Sequence, residues 1–143
     1  MKIKNVVEDK KVEYISANST IHELVNSLNM LQIGALVVSE DGKHIEGIVS
    51  ERDVVRAMSR HLSHFIDLHV RDIMSHIVYT CTTESTFSEL MMVMTENRVR
   101  HLPVTDEDGK LISIISIGDV VKNYINELDF ERVALEHYVI GGI

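Results

Sequence analysis

The stretch GIVSERDVV, residues 47–55, runs from an apolar segment into Ser-Glu-Arg-Asp and then back into apolar residues. A second stretch, SIISIGDVV at residues 113–121, carries the same Ser-x-x-Asp-Val-Val at the same point. In each stretch the apolar run predicts a strand, and the polar interruption predicts the place where the strand passes into a helix.

The two stretches belong to an internal duplication with an offset of 66 residues. Twelve of the 44 positions from Val12 to Val55 are identical to their counterparts without a gap, where chance at ordinary composition gives roughly three. This period exceeds the usual solenoid units, and two copies do not make a stable array. The chain is therefore predicted to form two paired half-domains. The identical pairs are Val12/Val78, Ser19/Ser85, Thr20/Thr86, Glu23/Glu89, Leu24/Leu90, Leu36/Leu102, Val38/Val104, Ile48/Ile114, Ser50/Ser116, Asp53/Asp119, Val54/Val120 and Val55/Val121.

The composition is that of an ordinary globular protein, with 143 residues, 45% hydrophobic and 25% charged. The apolar runs are too short to span a bilayer, and MKIKNVVEDKK at the N-terminus is charged where a signal peptide is apolar. We therefore expect a cytoplasmic protein without a membrane partner. The single cysteine, Cys81, cannot form an internal disulfide, and its apolar flanks predict a buried structural thiol.

The net charge of −8 argues against nucleic-acid binding. It repels phosphates over the whole surface, and the chain lacks the Lys/Arg cluster that counterion release requires. A local anion site remains compatible with this charge.

Each copy of the duplication predicts the order strand, helix, strand, strand, helix. In the first copy, TIHELVNSLNMLQIG places apolar residues on one helical face, with Thr20 or Ser19 as N-cap and Gly34 after the end. Two short strands joined by an Asp-Gly turn follow in both copies. The closing helices are predicted from Asp53 to about His61 and from Asp119 to about Leu128. The predicted apolar helical faces are Ile21, Leu24, Val25, Leu28 and Leu31 in the first copy, and Phe87, Leu90, Met91 and Met94 in the second.

This order predicts an α/β protein (α+β in some schemes) divided into four segments. Residues 1–62 form the first repeat with an N-terminal segment, 63–76 a connector with a helical turn at 70–74, 77–128 the second repeat, and 129–143 a helical tail. The tail continues the last helix with apolar Leu128, Leu135 and Val139 and ends at Gly141-Gly142. A protruding amphipathic helix predicts a covering surface, most simply that of a second subunit in a homodimer.

Ser50, Asp53, Ser116 and Asp119 are the first candidate binding residues, because ligands dock where a strand passes into a helix. There a Ser hydroxyl can bond a phosphate or ribose oxygen, and a carboxylate can accept the ribose hydroxyl pair. The alternative is that Ser-x-x-Asp is only a helix cap.

A second candidate constellation is NRVRHLPV, which brings Arg98, Arg100 and His101 together before a strand. Guanidinium groups suit phosphate oxygens. The alternative is a solvated arginine beside a strand-edge histidine. Gly34 and Ala35 stand at the equivalent positions of the first copy, so we expect two unequal sites.

Together these motifs resemble the CBS domain, named for cystathionine β-synthase, and in particular small stand-alone bacterial proteins built from two such domains. The resemblance covers about residues 3–128 and rests on GALVV, GIVSERDVVRAM, VRDIM, VRHLPV and GKLISIISIGDVVK in this order. It implies two β-α-β-β-α repeats packed about a pseudo-two-fold axis, with two clefts between them for adenosine-containing ligands. AMP is the expected ligand, with ADP, ATP and NAD(H) as the other members of the class.

The resemblance also implies a role for each matching position. Asp53 and Asp119 correspond to ribose-binding aspartates, Ser50 and Ser116 to the preceding hydroxyl residues, and Ile48 and Ile114 to strand residues flanking the adenine. Arg52 and Gly118 differ just before the aspartates, so the clefts are not expected to be occupied equally. Asp53 is expected to face Thr82, Val99, Arg100 and His101, and Asp119 to face Ser16, Ile33, Gly34 and Ala35.

Three other functions compete with a nucleotide sensor that regulates a partner protein. An enzyme is disfavoured, because the chain has no phosphate loop, no Gly-x-Gly-x-x-Gly and no His-Glu-x-x-His. A metal site is conceivable in HLSHFIDLH, where His61, His64, Asp67 and His69 could ligate, but this segment reads more simply as a solvated connector. A purely structural dimerisation module, with empty clefts, is the third alternative.

Overall fold

Both repeats form the predicted order of strand, helix, strand, strand and helix in the computed structural model, which describes residues 3–7 and 11–141. Residues 1–2, 8–10 and 142–143, within the predicted first repeat and tail, lie outside the described residues. The elements of the first repeat are β1 (Tyr14–Ile15), α2 (Ile21–Leu31), β2 (Ala35–Val38), β3 (Gly47–Ser50) and α3 (Glu51–Arg60). Those of the second are β4 (Cys81–Thr82), α5 (Phe87–Asn97), β5 (His101–Thr105), β6 (Leu111–Ser116) and α6 (Ile117–Gly141). The short helices α1 (Lys4–Val7) and α4 (Val70–Ile73) precede the two repeats.

Each repeat has one three-stranded sheet, in the order β1-β2-β3 or β4-β5-β6. The first two strands of each sheet are parallel and the last two are antiparallel. The turns that join the antiparallel strands contain Gly42 and Gly109, with φ of 74° and 78°. A left-handed backbone of this kind favours glycine, which is why the Asp-Gly pairs marked these turns correctly.

The closing helices begin two residues earlier than predicted. The prediction started them at Asp53 and Asp119, whereas α3 begins at Glu51 and α6 at Ile117. Ser50 and Ser116 accept the backbone N–H of the aspartates three residues later, so each serine holds the capping position and each aspartate lies within the first turn. At the other end, α3 stops at Arg60, close to the predicted His61.

The two packing helices end through left-handed residues that the sequence did not reveal. Thr20, one of the two predicted candidates, is the N-cap of α2. Gln32 ends α2 with φ of 51°, and Arg98 ends α5 with φ of 54°, so the chain turns before it reaches Gly34. The two positions are equivalent under the 66-residue offset, which gives both repeats the same backbone path here.

Each repeat has its own apolar core beneath its sheet. In the first repeat the core is formed mainly by Ile15, Leu24, Leu28, Leu36, Val38 and Val49. In the second it is formed mainly by Cys81, Phe87, Leu90, Met94, Leu102, Val104 and Ile115. The predicted helical faces are confirmed except for Val25 and Leu31, which are exposed. Cys81 is buried as predicted, and desolvation raises the pKa of its thiol to about 12.

The short helices that precede the repeats are exchanged between them. Ile3 and Val7, which flank and end α1, are buried in the core of the second repeat, although the N-terminal segment was grouped with the first. Val70 of α4 is buried in the core of the first repeat. The helices are 66 residues apart in sequence, so the two repeats make the same exchange in opposite directions.

The last helix continues through the predicted tail without interruption. Helix α6 runs from Ile117 to Gly141, which confirms that the tail extends it. Every described residue from Leu128 onward is exposed. None of the helices within residues 3–7 and 11–141 combines the length and apolarity that crossing a bilayer requires.

Candidate functional site

The two strand–helix junctions have the same hydrogen-bonded arrangement. At the end of β3, Asp53 Oδ2 accepts the Ser50 N–H at 2.8 Å and the Ser50 hydroxyl at 3.1 Å. At the end of β6, Asp119 Oδ2 accepts the Ser116 N–H at 3.1 Å and the Ser116 hydroxyl at 2.9 Å. All four residues are half-buried. Each pair is thus a reciprocal cap, and these capping bonds engage a single oxygen of each carboxylate.

A cleft of about 310 Å³ lies between the two repeats, and its lining includes one residue from the start of each closing helix, Arg52 and Ile117. Arg52, from the first turn of α3, lines this cleft together with Arg98 and Arg100, which follow α5 in the second repeat. We call this the arginine cleft. Its remaining lining residues are Met94, Thr95, Val99 and Ile117.

A second cleft occupies the equivalent place in the first repeat. It is wider and more apolar, and its lining is Val25, Leu28, Asn29, Gln32, Ile33, Gly34, Glu51, Val54 and Val55. Six of these residues are counterparts of arginine-cleft residues under the 66-residue offset: Leu28, Asn29, Gln32, Ile33, Gly34 and Glu51. We call it the glutamate cleft, because among the described residues that line it Glu51 is the charged one.

The two repeats also touch at Gly34 and His101. A Cβ on Gly34 would lie 3.1 Å from His101 Cε1 and 3.5 Å from a carboxylate oxygen of Glu51, so His101 needs the space that this glycine leaves. Burial lowers the pKa of His101, against the opposing effects of Glu51 and Asp119, and the charge of Arg100 lowers it further. The pKa shift therefore favours a neutral imidazole at the contact between the repeats.

The other predicted residues are distributed around these features. Ile48 and Ile114 are half-buried on β3 and β6, and Ala35 is buried at the start of β2. Ser16 donates its hydroxyl to Glu40 at 2.7 Å. Thr82 accepts the Glu84 N–H, and Gly118 stands open in the first turn of α6.

The structure thus brings some of the predicted site residues into one cleft and leaves others apart. Arg52, Val99 and Arg100 line the arginine cleft, while Ile33 and Gly34 line the glutamate cleft. Neither lining, as drawn from the described residues, includes Asp53, Asp119, Ser16 or Thr82. That each aspartate faces the other repeat therefore remains a prediction.

Sequence reasoning missed the contributions that the ends of α2 and α5 make to the clefts. Asn29, Gln32, Met94 and Thr95 were assigned only to packing helices or left unassigned, yet all four line a cleft. The offset carried a signal for them, because residues that precede Gly34 must occupy the same place as those that precede Arg100. Glu51 was missed because the repeated Ser-x-x-Asp motif marks only Ser50 and Asp53, and the residues between them differ in the two copies.

The histidine-rich connector was weighed above as a metal site. Within the described part of the chain, no three His, Cys, Asp or Glu side chains are placed to hold a metal ion together. His61 and His64 approach each other with ring centroids 5.9 Å apart. The backbone N–H of His69 instead donates to the Asp72 carboxylate at the start of α4.

Comparison with known proteins adds a family likeness to this geometry. Residues 3–60 and 70–126 match the sequence pattern of the CBS domain. A curated relative, the mitochondrial CBS domain-containing protein CBSX3 of Arabidopsis thaliana, is 34% identical over 99% of this chain and 70% of its own length.

Solved structures show the same arrangement of elements. A CBS-domain containing protein from Agrobacterium tumefaciens is 36% identical, with a TM-score of 0.79 over 85% of this chain and 91% of that one. A CBS domain protein from Pyrobaculum aerophilum, solved in complex with AMP, has a TM-score of 0.71 over 83% of this chain and 89% of that one. At 24% identity, the second likeness is one of fold.

Proposed function

The chain belongs to the CBS-domain family as a tandem pair, and from that premise we propose that it is a regulatory module that binds adenine nucleotides. The observation that carries this proposal is the junction of β3 with α3, where half-buried Ser50 and Asp53 flank Arg52, which lines a cleft together with Arg98 and Arg100 of the other repeat. The AMP complex of the Pyrobaculum aerophilum protein supports the choice of ligand class.

The chemistry of the junction suits a nucleoside phosphate. Asp53 Oδ2 is engaged by the cap, and its second oxygen, Oδ1, would accept the ribose hydroxyls. Arg52 precedes Asp53 by one residue and lines the arginine cleft. A phosphate attached to a ribose bound at Asp53 would therefore lie near guanidinium groups. AMP, ADP, ATP and NAD(H) all carry this combination of ribose and phosphate.

We propose that the ligand acts by changing the relative placement of the two repeats and is not turned over. Gly34 and His101 make contact across the repeats next to the cleft, so an occupant would bias that contact. A ligand moves such an equilibrium only by its differential affinity for the two arrangements, typically about 1–3 kcal/mol. The module would pass this change to a regulated partner protein.

A second candidate function, a purely structural dimerisation module, is favoured by the caps themselves. The reciprocal bonds of Ser50 with Asp53 and of Ser116 with Asp119 account for the repeated motif without any ligand. Binding and stability must therefore be measured on the same variants.

Asp53→Ala should weaken adenine-nucleotide binding by about 1.5–3 kcal/mol, the value of a hydrogen bond to a charged group. Loss of the cap should lower the free energy of unfolding by only about 1 kcal/mol. Asp119→Ala should do the same at the second junction. Calorimetric titration of nucleotide-stripped protein and thermal unfolding give the two quantities.

Glu89→Ala is the matched control for this experiment. Glu89 accepts the Thr86 N–H at the start of α5, so it is a capping carboxylate that lines neither cleft. A ligand site predicts that the Glu89 variant melts earlier but binds normally. If the Asp53 and Asp119 variants also bind normally and only melt earlier, the repeated motif is a pair of caps and the nucleotide proposal fails.

We also propose that the protein is a homodimer formed by helices of both repeats and closed by the end of α6. Val55 on α3 and its counterpart Val121 on α6 are both exposed, as are Leu135 and Tyr138 farther along α6. Exposed apolar area on this scale favours a covering surface, and two-fold dimers are the commonest closed assembly.

Leu135→Glu should shift the assembly from dimer to monomer at micromolar concentration, because it places a charge in the apolar surface of α6. Sedimentation equilibrium measures the molar mass directly. Glu131→Ala, on the same exposed helix, should leave the mass unchanged. A monomeric unmodified protein, or a Leu135 variant that stays dimeric, would refute this role for α6.

A further inference from the structure

The contact between the two repeats at Gly34 contains a titratable side chain, His101. A Cβ on Gly34 would lie 3.1 Å from Cε1 and 3.4 Å from Nε2 of this imidazole, so the ring rests against the glycine. Under the 66-residue offset the counterpart of His101 is Ala35, which is buried and cannot bind a proton. The fold therefore does not require a titratable group at this place.

Backbone hydrogen bonds connect this contact to both strand–helix junctions. The Gly34 carbonyl accepts the N–H of Glu51, the first residue of α3, at 2.9 Å. His101 lies opposite Ser116, which caps α6, in the pairing of β5 with β6. A change in the distance between Gly34 and His101 would therefore move the starts of the two closing helices relative to each other.

Three charged groups among the described residues act on the His101 imidazole. They are Glu51 from α3, Asp119 from α6, and Arg100, which precedes His101 in the chain. The two carboxylates favour the imidazolium ion, whereas Arg100 opposes it. Burial opposes it most strongly, so the pKa of His101 lies below its ordinary value of 6.5. A proton therefore binds more readily when the imidazole leaves the contact and becomes hydrated.

We propose that His101 makes the contact between the two repeats sensitive to pH, so that a neutral imidazole keeps the contact closed and protonation opens it. Acidification would then change the relative placement of the repeats, as a nucleotide is proposed to do. This inference goes beyond the proposed function, since the proton acts without any ligand. Opening would separate the start of α3 from the start of α6.

The direction of the pH dependence follows from the two values of the pKa. In the open arrangement the hydrated imidazole has an ordinary pKa of about 6.5, and in the closed arrangement the pKa is lower. The contact is thus at full strength above this ordinary value and weakens as the pH falls below it. One proton changes the ratio of closed to open molecules by at most about tenfold per pH unit, and only between the two pKa values.

Förster transfer between dyes on Asn26→Cys and Met92→Cys measures the distance between the repeats. Both positions are exposed, on α2 and α5, and they are equivalent under the 66-residue offset. Cys81 is buried, which protects it from the dyes. Nucleotide-stripped labelled protein is mixed with an excess of unlabelled protein, so that transfer within one chain is observed. From about pH 7.5 to about pH 5 the transfer should fall in one step with a midpoint below the ordinary histidine pKa.

His101→Gln should abolish this step, because glutamine is polar but does not titrate in this range. His61→Gln is the matched control, since it removes an exposed histidine at the end of α3, and it should leave the step intact. Gly34→Ala places a methyl group 3.1 Å from the imidazole. It should therefore move the transfer at neutral pH toward the value that the unmodified protein reaches in acid.

Transfer that does not change with pH, or a step that persists in His101→Gln, would overturn the proposal. If His101→Gln does not fold, NMR titration of the histidine ring protons in the unmodified protein and in Gly34→Ala decides instead. A ring with a pKa below 6.5 that Gly34→Ala raises supports the proposal, and the absence of such a ring overturns it. Nucleotide binding that depends on Asp53 is a separate measurement, so either proposal can fail while the other stands.

Discussion

Phe87→Ala is expected to lower the free energy of unfolding by about 4 kcal/mol, the largest effect of any substitution considered for this protein. Phe87 begins α5 and is among the largest fully buried side chains, packed in the core of the second repeat with Leu90 and Met94. Truncation removes the apolar area of the ring and leaves a cavity that the neighbouring strands cannot fill. Urea denaturation followed by circular dichroism measures the loss.

Met92→Ala, in the same helix, is the control for this prediction. Met92 is 60% exposed, so its truncation removes little buried area and should change the free energy of unfolding by less than about 0.5 kcal/mol. A loss below about 1 kcal/mol for the Phe87 variant would mean that this core tolerates a large cavity, contrary to its tight burial.

Gly47→Ala is expected to cost about 2–3 kcal/mol of stability, although it adds only one methyl group. A Cβ at position 47 would lie 2.6 Å from the backbone carbonyl oxygen of Ser75. Ser75 exchanges backbone hydrogen bonds of 2.9 and 3.0 Å with Ile48, so the connector pairs with β3 at this point. The methyl group must push that backbone away and strain both hydrogen bonds. Thermal unfolding monitors the result.

Gly118→Ala adds the same methyl group but is expected to have the opposite effect on stability. The nearest atom to a Cβ there is the Ser116 hydroxyl at 3.7 Å, an ordinary contact, and the residue is helical. Alanine should therefore be neutral or stabilise by up to about 1 kcal/mol. If both variants melt at the same temperature, the close approach between position 47 and the Ser75 backbone does not limit the stability of the protein.

Local patterns predicted the elements of this fold well because the chemistry that sets them is local. The Asp-Gly turns at Gly42 and Gly109 and the buried faces of α2 and α5 follow from backbone preference and helical period. The two-residue error at α3 and α6 arose from the Ser-x-x-Asp motif itself. Serine and aspartate both cap helices, so the motif alone does not say which of them is the N-cap. In the structure the Ser50 hydroxyl accepts the Asp53 N–H, which makes the serine the N-cap, and the Asp53 carboxylate accepts the Ser50 N–H in return.

The clefts could be predicted only in part, because they depend on which segments meet. Arg52 and Arg100 were expected near a ligand, but nothing in the local sequence indicates that Arg52 lies across from Arg98. The exchange of α1 and α4 between the repeats also could not be predicted from local sequence patterns. Helices of four residues are too short to display a face, and the core that receives Ile3 or Val70 is formed far away in sequence.

This exchange of leading helices has a consequence for how such a protein could arise. A polypeptide with one repeat, folded as each repeat is here, would carry a leading helix that does not pack on its own core and a core left without a leading helix. Two such polypeptides would complete each other by trading helices, as domain-swapped dimers do. Fusing the two copies end to end makes that trade intramolecular, so it no longer depends on protein concentration. Once fused, the halves are free to diverge, and one can gain arginines where the other keeps glutamine and glycine.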